Sequence, residues 1–228
     1  MSGFATLTWL NLRRLRGPAV LSALLVAAYA AVVTGPRPLA SWYLAAGDFA
    51  QPSAVIPLLF GAGVAAPMLA REQQRRTIDL AYTQSMPRAV WLAARILPVP
   101  ALAVVTALGA RAAFRLPPGS DLIRHLWWPG GGAVRIGFLL FSVALGFCAG
   151  AVLGRTLPAM AVTVVGFLFV WYGGVVMPIV RVLVPEENSV IPGSSPRTVL
   201  AFAVVLYVFA AVLLAVTFAW MTRKVPRS

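Results

Sequence analysis

The chain has 228 residues, of which 60% are hydrophobic and 11% are charged, and its mean hydropathy is +0.86. A soluble domain of this length cannot bury so much apolar surface around one core, so the composition excludes a soluble globular protein and indicates a polytopic membrane protein. The net charge of +13 comes with no stretch in which basic residues alternate with stacking aromatics, which argues against nucleic acid as a partner.

Residues 1–17 place apolar side chains beside a basic end, and this composition predicts an amphipathic helix lying in the membrane interface. Six apolar runs follow, each long enough to cross about 30 Å of hydrocarbon as a helix. They comprise residues 18–34, 53–70, 91–110, 136–154, 157–180 and 198–221. Because the runs are continuous and do not alternate, they favour helices over barrel strands. The predicted fold class is an all-α polytopic membrane protein with six transmembrane helices.

Prolines and charges add expectations for individual spans. Pro98 and Pro100 lie inside the third run, close to Arg95, and predict a kink there. Pro57 and Pro67 predict two bends in the second run. No Asp or Glu falls within the six runs, whereas a proton-coupled antiporter needs an ionisable group in the bilayer. The sequence therefore argues against proton-coupled exchange.

The basic residues set the expected orientation. With the N-terminus inside, they concentrate on the cytoplasmic side, at 13–16, 71–76, Arg88, Arg95, Arg155 and 223–227. Cytoplasmic segments of membrane proteins carry such an excess of Lys and Arg. We therefore expect both termini to face the cytoplasm.

The inventory of chemically active side chains is small: one His, one Cys and six acids. Glu186 and Glu187 resemble the paired glutamates of intramembrane CAAX-type metalloproteases, but His125 lies on an earlier loop than such a site requires. A solvated outer loop is the simpler interpretation, and an intramembrane enzyme stays a minor alternative. The chain has no GxxxxGK[ST] loop, so we expect it not to be an ATPase, nor an enzyme of another kind.

Small residues mark two helix faces. Gly146, Gly150 and Gly154 repeat every four residues along the fourth run and predict a groove where another helix approaches closely. Gly61 and Ala65 give the second run a similar face. The spacing leaves open whether the groove packs against a helix of the same subunit or against a second copy.

The densest polar segment comprises residues 71–90, between the second and third runs. Glu72 stands three and four residues before Arg75 and Arg76, so ion pairs can support a helix there. Pro87 ends this helix, and Trp91 is placed as an interfacial anchor of the next span. Spacing alone leaves two interpretations open, a docking element for a soluble partner and a helix that only tethers two spans.

Two stretches carry a further signal, AREQQRRTIDLAYTQSMPRAVWL at residues 70–92 and LGRTLPAMA at residues 153–161. Both resemble segments of ABC-2 type transporter permeases from actinobacteria. The first is similar to the first cytoplasmic loop of that family, and the second is similar to the tight loop between its fourth and fifth helices.

The resemblance implies a permease subunit that forms the translocation path of an exporter in the inner (plasma) membrane. It implies a separate ABC ATP-binding subunit as partner, with ATP and Mg²⁺ held there and no cofactor on this chain, and a second permease copy or a related permease. It also implies that segment 173–193 re-enters the membrane, although an outer loop explains those residues equally well. The alternative is a non-transporting scaffold or sensor that binds a soluble partner through the same loop.

The same resemblance implies that residues 71–90 contain a coupling helix, which docks into a groove of the ATPase. The residues expected to contact the ATPase are Glu72, Arg75, Arg76, Thr77, Asp79, Leu80, Tyr82, Thr83, Gln84, Ser85, Arg88 and Arg155. The substrate class stays open between lipids, amphipathic peptides and hydrophobic drugs.

Overall fold

The computed structural model describes residues 52–74, 88–113, 131–172, 179–180, 182 and 196–223, together with isolated helical residues between 13 and 27. Within these ranges the chain is helical and contains no strand, as the all-α prediction required. The predicted interfacial helix, the first span, most of the coupling loop and the 173–193 segment lie largely outside the described residues.

Helical structure begins with one continuous rod, made of α1 (Pro52–Leu58), a π-helical segment (Leu59–Ala65) and α2 (Ala66–Gln74). The later helices are α3 (Arg88–Ile96), α4 (Pro98–Ala113), α5 (Gly131–Leu153), α6 (Thr156–Trp171) and α7 (Pro196–Arg223). Among the described residues, four helical stretches are long and apolar enough to cross a membrane: Val55–Gln74, Val90–Leu108, Val134–Leu153 and Leu200–Arg223. They correspond to the second, third, fourth and sixth predicted spans.

Two predicted spans differ from the observed helices at their ends. The second was expected to end at Ala70, but its helix continues to Gln74, so Glu72 lies within a candidate span. The expectation that no carboxylate lies within the spans is thereby corrected. The fifth was expected to reach Val180, but α6 ends at Trp171 and has 16 residues, which is shorter than the four candidate spans.

The interruption at Leu97 divides the third span into α3 and α4. Pro98 and Pro100 follow directly, and each lacks the N–H that would donate to the carbonyl one turn earlier. The kink predicted from these prolines therefore corresponds to an observed break in the helix.

α5 is the centre of the bundle, because it packs against α4, α6, α7 and the rod. An apolar cluster on one side of it joins the rod, α3, α4 and the end of α7. A second cluster joins α5, α6 and α7, where the Phe138 ring lies 4.9 Å from Trp171 and 5.7 Å from Phe202, between ring centroids. Trp171 therefore belongs to the packed core.

Glycines allow the rod and α5 to touch along their backbones. A Cβ atom at Gly146 would collide with the carbonyl oxygen of Gly61, and a Cβ atom at Gly150 would lie 2.5 Å from the carbonyl oxygen of Ala66. Ala65 lies in the same contact, 3.0 Å from the Cβ position of Gly146. The helix that approaches α5 at these positions belongs to the same chain.

Gly154 follows the last residue of α5 and has φ of +60°, a left-handed conformation that L side chains rarely adopt. The atom nearest its Cβ position is Oε1 of Gln73, 2.7 Å away in α2 of the same rod. The rod therefore approaches Gly154 through a side chain, whereas it approaches Gly146 and Gly150 along its backbone.

The π-helical segment lies between Pro57 and Pro67, which the sequence marked as two bends. Its end is defined by the N–H of Ala66, which donates to the carbonyl of Gly61, five residues earlier. Ser142 of α5 donates a buried hydrogen bond of 2.7 Å to the carbonyl oxygen of Pro57. The irregular part of the rod is thus held directly against the central helix.

Candidate functional site

The last three residues of α2 stand at the root of the 75–87 segment, which lies outside the described residues. They are Glu72, Gln73 and Gln74, and each one contacts a different part of the bundle. Because an α-helix turns by about 100° per residue, three consecutive side chains point in three well-separated directions. The end of α2 is therefore placed to contact several neighbours at once.

Glu72 forms an ion pair with Arg95 of α3. Both side chains are largely buried, with 11% of Glu72 and 14% of Arg95 exposed. The guanidinium carbon of Arg95 also lies 5.6 Å from the centroid of the Trp91 ring, one helical turn earlier in α3. Trp91, the expected interfacial anchor of this span, is buried and packs against the arginine.

Gln73 connects α2 with the ends of α5 and α7. Its side-chain nitrogen Nε2 donates to the carbonyl oxygen of Ala151 at 2.5 Å and lies 3.5 Å from Sδ of Met221. Its Oε1 atom lies 2.7 Å from the position that a Cβ atom would occupy at Gly154. A single amide therefore contacts the last turn of two other helices.

Gln74 connects α2 with the beginning of α6. Its Oε1 atom accepts a hydrogen bond of 3.2 Å from the hydroxyl of Thr156, the first residue of α6. The preceding residue, Arg155, is exposed and extended, with φ of −127° and ψ of 130°, and makes no side-chain capping bond.

We call this set of contacts the polar junction, made of Glu72, Gln73, Gln74, Arg95, Ala151, Thr156 and Met221. It ties the end of α2 to α3, α5, α6 and α7. Exposed arginines surround it at Arg71, Arg155 and Arg223. The side chains inside the junction are uncharged or form an ion pair, whereas the exposed residues next to it are basic.

The sequence prediction placed Glu72, Arg88 and Arg155 among the contacts of a soluble partner. Arg155 is exposed on a turn beside the junction, Arg88 begins α3, and Glu72 is turned into the bundle towards Arg95. The other predicted contact residues lie outside the described residues, and their role stays a prediction: Arg75, Arg76, Thr77, Asp79, Leu80, Tyr82, Thr83, Gln84 and Ser85.

Sequence reasoning missed Gln73, Gln74 and Thr156 as contact residues. A usable signal existed, because a cluster of polar residues directly follows an apolar run and Arg95 interrupts the next one. In the described part of the chain, no three metal-ligating side chains come together. His125, Glu186 and Glu187, which carried the enzyme alternative, lie outside that part.

The fold and this site define a helical, multi-span membrane protein in which the root of one connecting segment is tied to most of the bundle. Comparison with known families gives a match over residues 40–181 to the family described as ABC-2 membrane transporter related. The chain belongs to this family, and the matched region holds the rod, α3 to α6 and all of the polar junction except Met221. No curated protein and no solved structure matches the chain.

Proposed function

We propose that this chain is the membrane-spanning permease subunit of an ATP-driven ABC-2 type exporter and is coupled through residues 71–90 to a separate ATP-binding subunit. The observation that carries the proposal is the polar junction, which joins the root of that segment to four other helices. A displacement of the segment reaches those helices through direct side-chain contacts. The family supports the choice of partner, since ABC-2 permeases usually work with an ABC ATPase subunit.

In this proposal the ATPase contacts the 75–87 segment and the exposed Arg155, while Glu72 acts inside the bundle through Arg95. ATP and Mg²⁺ bind on the partner. Two permeases assemble with two ATPases in the plasma membrane, both termini of the permease face the cytoplasm, and transport runs outward.

The first test is co-purification in mild detergent with an ABC ATPase encoded beside this chain. We expect a complex that hydrolyses ATP, and we expect the double variant Asp79→Ala, Tyr82→Ala to lose the ATPase. Phe169→Ala, an exposed aromatic on α6 away from the junction, is the matched control and should retain it. ATP hydrolysis by the purified chain alone, or the absence of any bound ATPase, would overturn the proposal.

The second candidate function is a scaffold or sensor that binds a soluble partner without transport, and the exposed Arg155 beside the junction serves this function equally well. ATP-dependent accumulation of a fluorescent amphiphile in inside-out vesicles separates the two. A permease accumulates the dye only with the intact ATPase, whereas a scaffold gives the same signal as empty vesicles.

A further inference from the structure

The rod loses hydrogen-bond donors where its π-helical segment returns to the α-helix. The carbonyl of Ala62 would accept from the N–H of residue 66 in an α-helix and from that of residue 67 in a π-helix. The N–H of Ala66 donates to Gly61 instead, and residue 67 is a proline, which has no N–H. Neither helical pattern therefore supplies a donor for the carbonyl of Ala62.

Gly63 is affected by the same proline. The α-helical donor for its carbonyl would be the N–H of residue 67, and Pro67 removes it. Two adjacent carbonyls of the rod, those of Ala62 and Gly63, thus lack their α-helical donors.

Hydroxyl groups of neighbouring helices can bond to such carbonyls, and Ser142 does so at the other end of the irregular segment, where it donates to Pro57. The buried threonines of the described helices donate within their own helices, from Thr106 to Leu102, from Thr163 to Ala159 and from Thr217 to Leu213. Within the described ranges, no hydroxyl therefore serves Ala62 or Gly63.

Gly63 is also the point where the rod is open to its surroundings. From Ile56 to Ala70 all other residues are buried or half-buried, whereas Gly63 is exposed. A Cβ atom at Gly63 would meet only a side-chain atom of Leu59, at 3.6 Å. Gly63 lies eight residues after the start of the candidate span Val55–Gln74 and eleven before its end. The opening is therefore near the middle of the membrane.

Hydrocarbon is an unsuitable environment for these two carbonyls. A backbone polar group without a hydrogen bond is strongly unfavourable in lipid. Irregular backbone at membrane depth occurs where it is buried in protein or lines a water-filled cavity. Because Gly63 is exposed, the second situation fits this part of the rod. Single π-helical turns in α-helices are also frequent at functional sites.

We propose that the carbonyls of Ala62 and Gly63 form a pair of hydrogen-bond acceptors facing water in the middle of the membrane, so that the Gly63 side of the rod lines a hydrated cavity. The ligands of this site are hydrogen-bond donors, and water is the resident one. Pro67 keeps the acceptors available, and the missing side chain of Gly63 gives access to them. The inference rests on insertion of this chain in a membrane and does not depend on an ATPase.

The first experiment measures how fast a cysteine at position 63 reacts with a charged methanethiosulfonate. The full chain is placed in lipid nanodiscs, which expose both membrane faces, as Gly63→Cys in a Cys148→Ser background. Only a thiolate reacts, and a thiol in hydrocarbon stays protonated. Val212→Cys is the matched control, because Val212 is 52% exposed near the middle of the regular helix α7.

We expect Gly63→Cys to react at least about tenfold faster than Val212→Cys, because only the former meets water. Equal rates, or no reaction at position 63, would overturn the inference. If Gly63→Cys does not fold, Leu59→Cys gives the same measurement, since the side chain of Leu59 borders the opening.

A second measurement tests whether the carbonyls hold the water. Pro67→Ala restores an N–H that can donate to Ala62 or Gly63, so it should lower the reaction rate of Gly63→Cys severalfold. Pro98→Ala is the matched control, because it restores an N–H at the beginning of α4, outside the rod. An unchanged rate in Pro67→Ala, or the same decrease in Pro98→Ala, would contradict the role of the carbonyls. Failure of an ATPase to co-purify would affect the proposed function and leave both measurements valid.

Discussion

The carboxylate of Glu72 pairs with the guanidinium of Arg95 across the two helices that the 75–87 segment connects. The helices on the two sides of this segment, α2 and α3, are therefore held together inside the bundle by an ion pair. Loss of one partner leaves a largely buried charge without its counterion, which costs far more than the loss of an exposed pair.

This contact gives the first prediction. Arg95→Leu should lower the free energy of unfolding by about 3–5 kcal/mol, the cost of breaking a buried ion pair from one side. The double variant Glu72→Leu, Arg95→Leu should recover most of the loss, because it removes both charges. Thermal unfolding in detergent measures both. Equal destabilisation by the single and double variants would show that the pair contributes through packing alone.

The second prediction concerns the backbone contact between the rod and α5. Gly150→Ala places a methyl group against the carbonyl oxygen of Ala66, and this overpacking should cost about 1–3 kcal/mol or prevent folding. Gly63→Ala is the matched control, because its new methyl group meets only a side-chain atom of Leu59 at 3.6 Å. We expect it not to destabilise the protein, because alanine is favoured over glycine inside a helix by about 0.5–1 kcal/mol. The folded yield and the melting temperature distinguish the two variants.

The third prediction concerns the hydrogen bond from Ser142 to Pro57. Ser142→Ala removes a buried bond between helices and should cost about 1 kcal/mol. Thr163→Val should cost less, because the hydroxyl of Thr163 donates within its own helix to Ala159, whose carbonyl lies in the helical ladder. Comparison of the two melting temperatures is the test, and an equal loss would argue against a special role for the contact at the π-helical segment.

The fourth prediction concerns the aromatic cluster at the centre of the bundle. Phe138 is 1% exposed and contacts three other aromatic rings, so Phe138→Ala should cost about 3–5 kcal/mol. Phe169 is 57% exposed on α6, and its replacement by alanine should change the unfolding free energy by less than about 1 kcal/mol. Denaturant unfolding followed by tryptophan fluorescence measures both, and similar losses would place Phe169 in a buried contact.

The long apolar runs predict the central and last helices well, because a span is encoded by its own residues. The fourth run, expected at 136–154, is Gly131–Leu153, and the sixth, expected at 198–221, is Pro196–Arg223. The second helix was predicted too short because its last turn is polar. Those polar residues continue the helix since neighbouring helices supply their partners.

The local pattern marks the polar residues of the junction, but it could not predict which residues they contact. Gln73 and Ala151 are 78 residues apart, and the acceptor is a backbone carbonyl, which no side-chain pattern marks. Gly154 was assigned by its spacing to a helix face, although a glycine just before a new helix start is also typical of a helix end. At Gly146 and Gly150 the helix continues and the rod approaches along its backbone, whereas at Gly154 the helix has stopped and a side chain of the rod approaches instead.

The side chains of the last three residues of α2 hold the helix against rotation about its own axis. The helix contacts α3 through one side chain, α5 and α7 through the next, and α6 through the third. These contacts point in directions roughly 100° apart, so rotation of the rod about its own axis would break at least one of them. In the proposed function, a push by the ATPase on this end of the helix therefore acts by tilting the helix or by sliding it along its axis. The helix resists rotation about its axis, and a tilt applied at Gln74 extends along the whole rod back to Pro52.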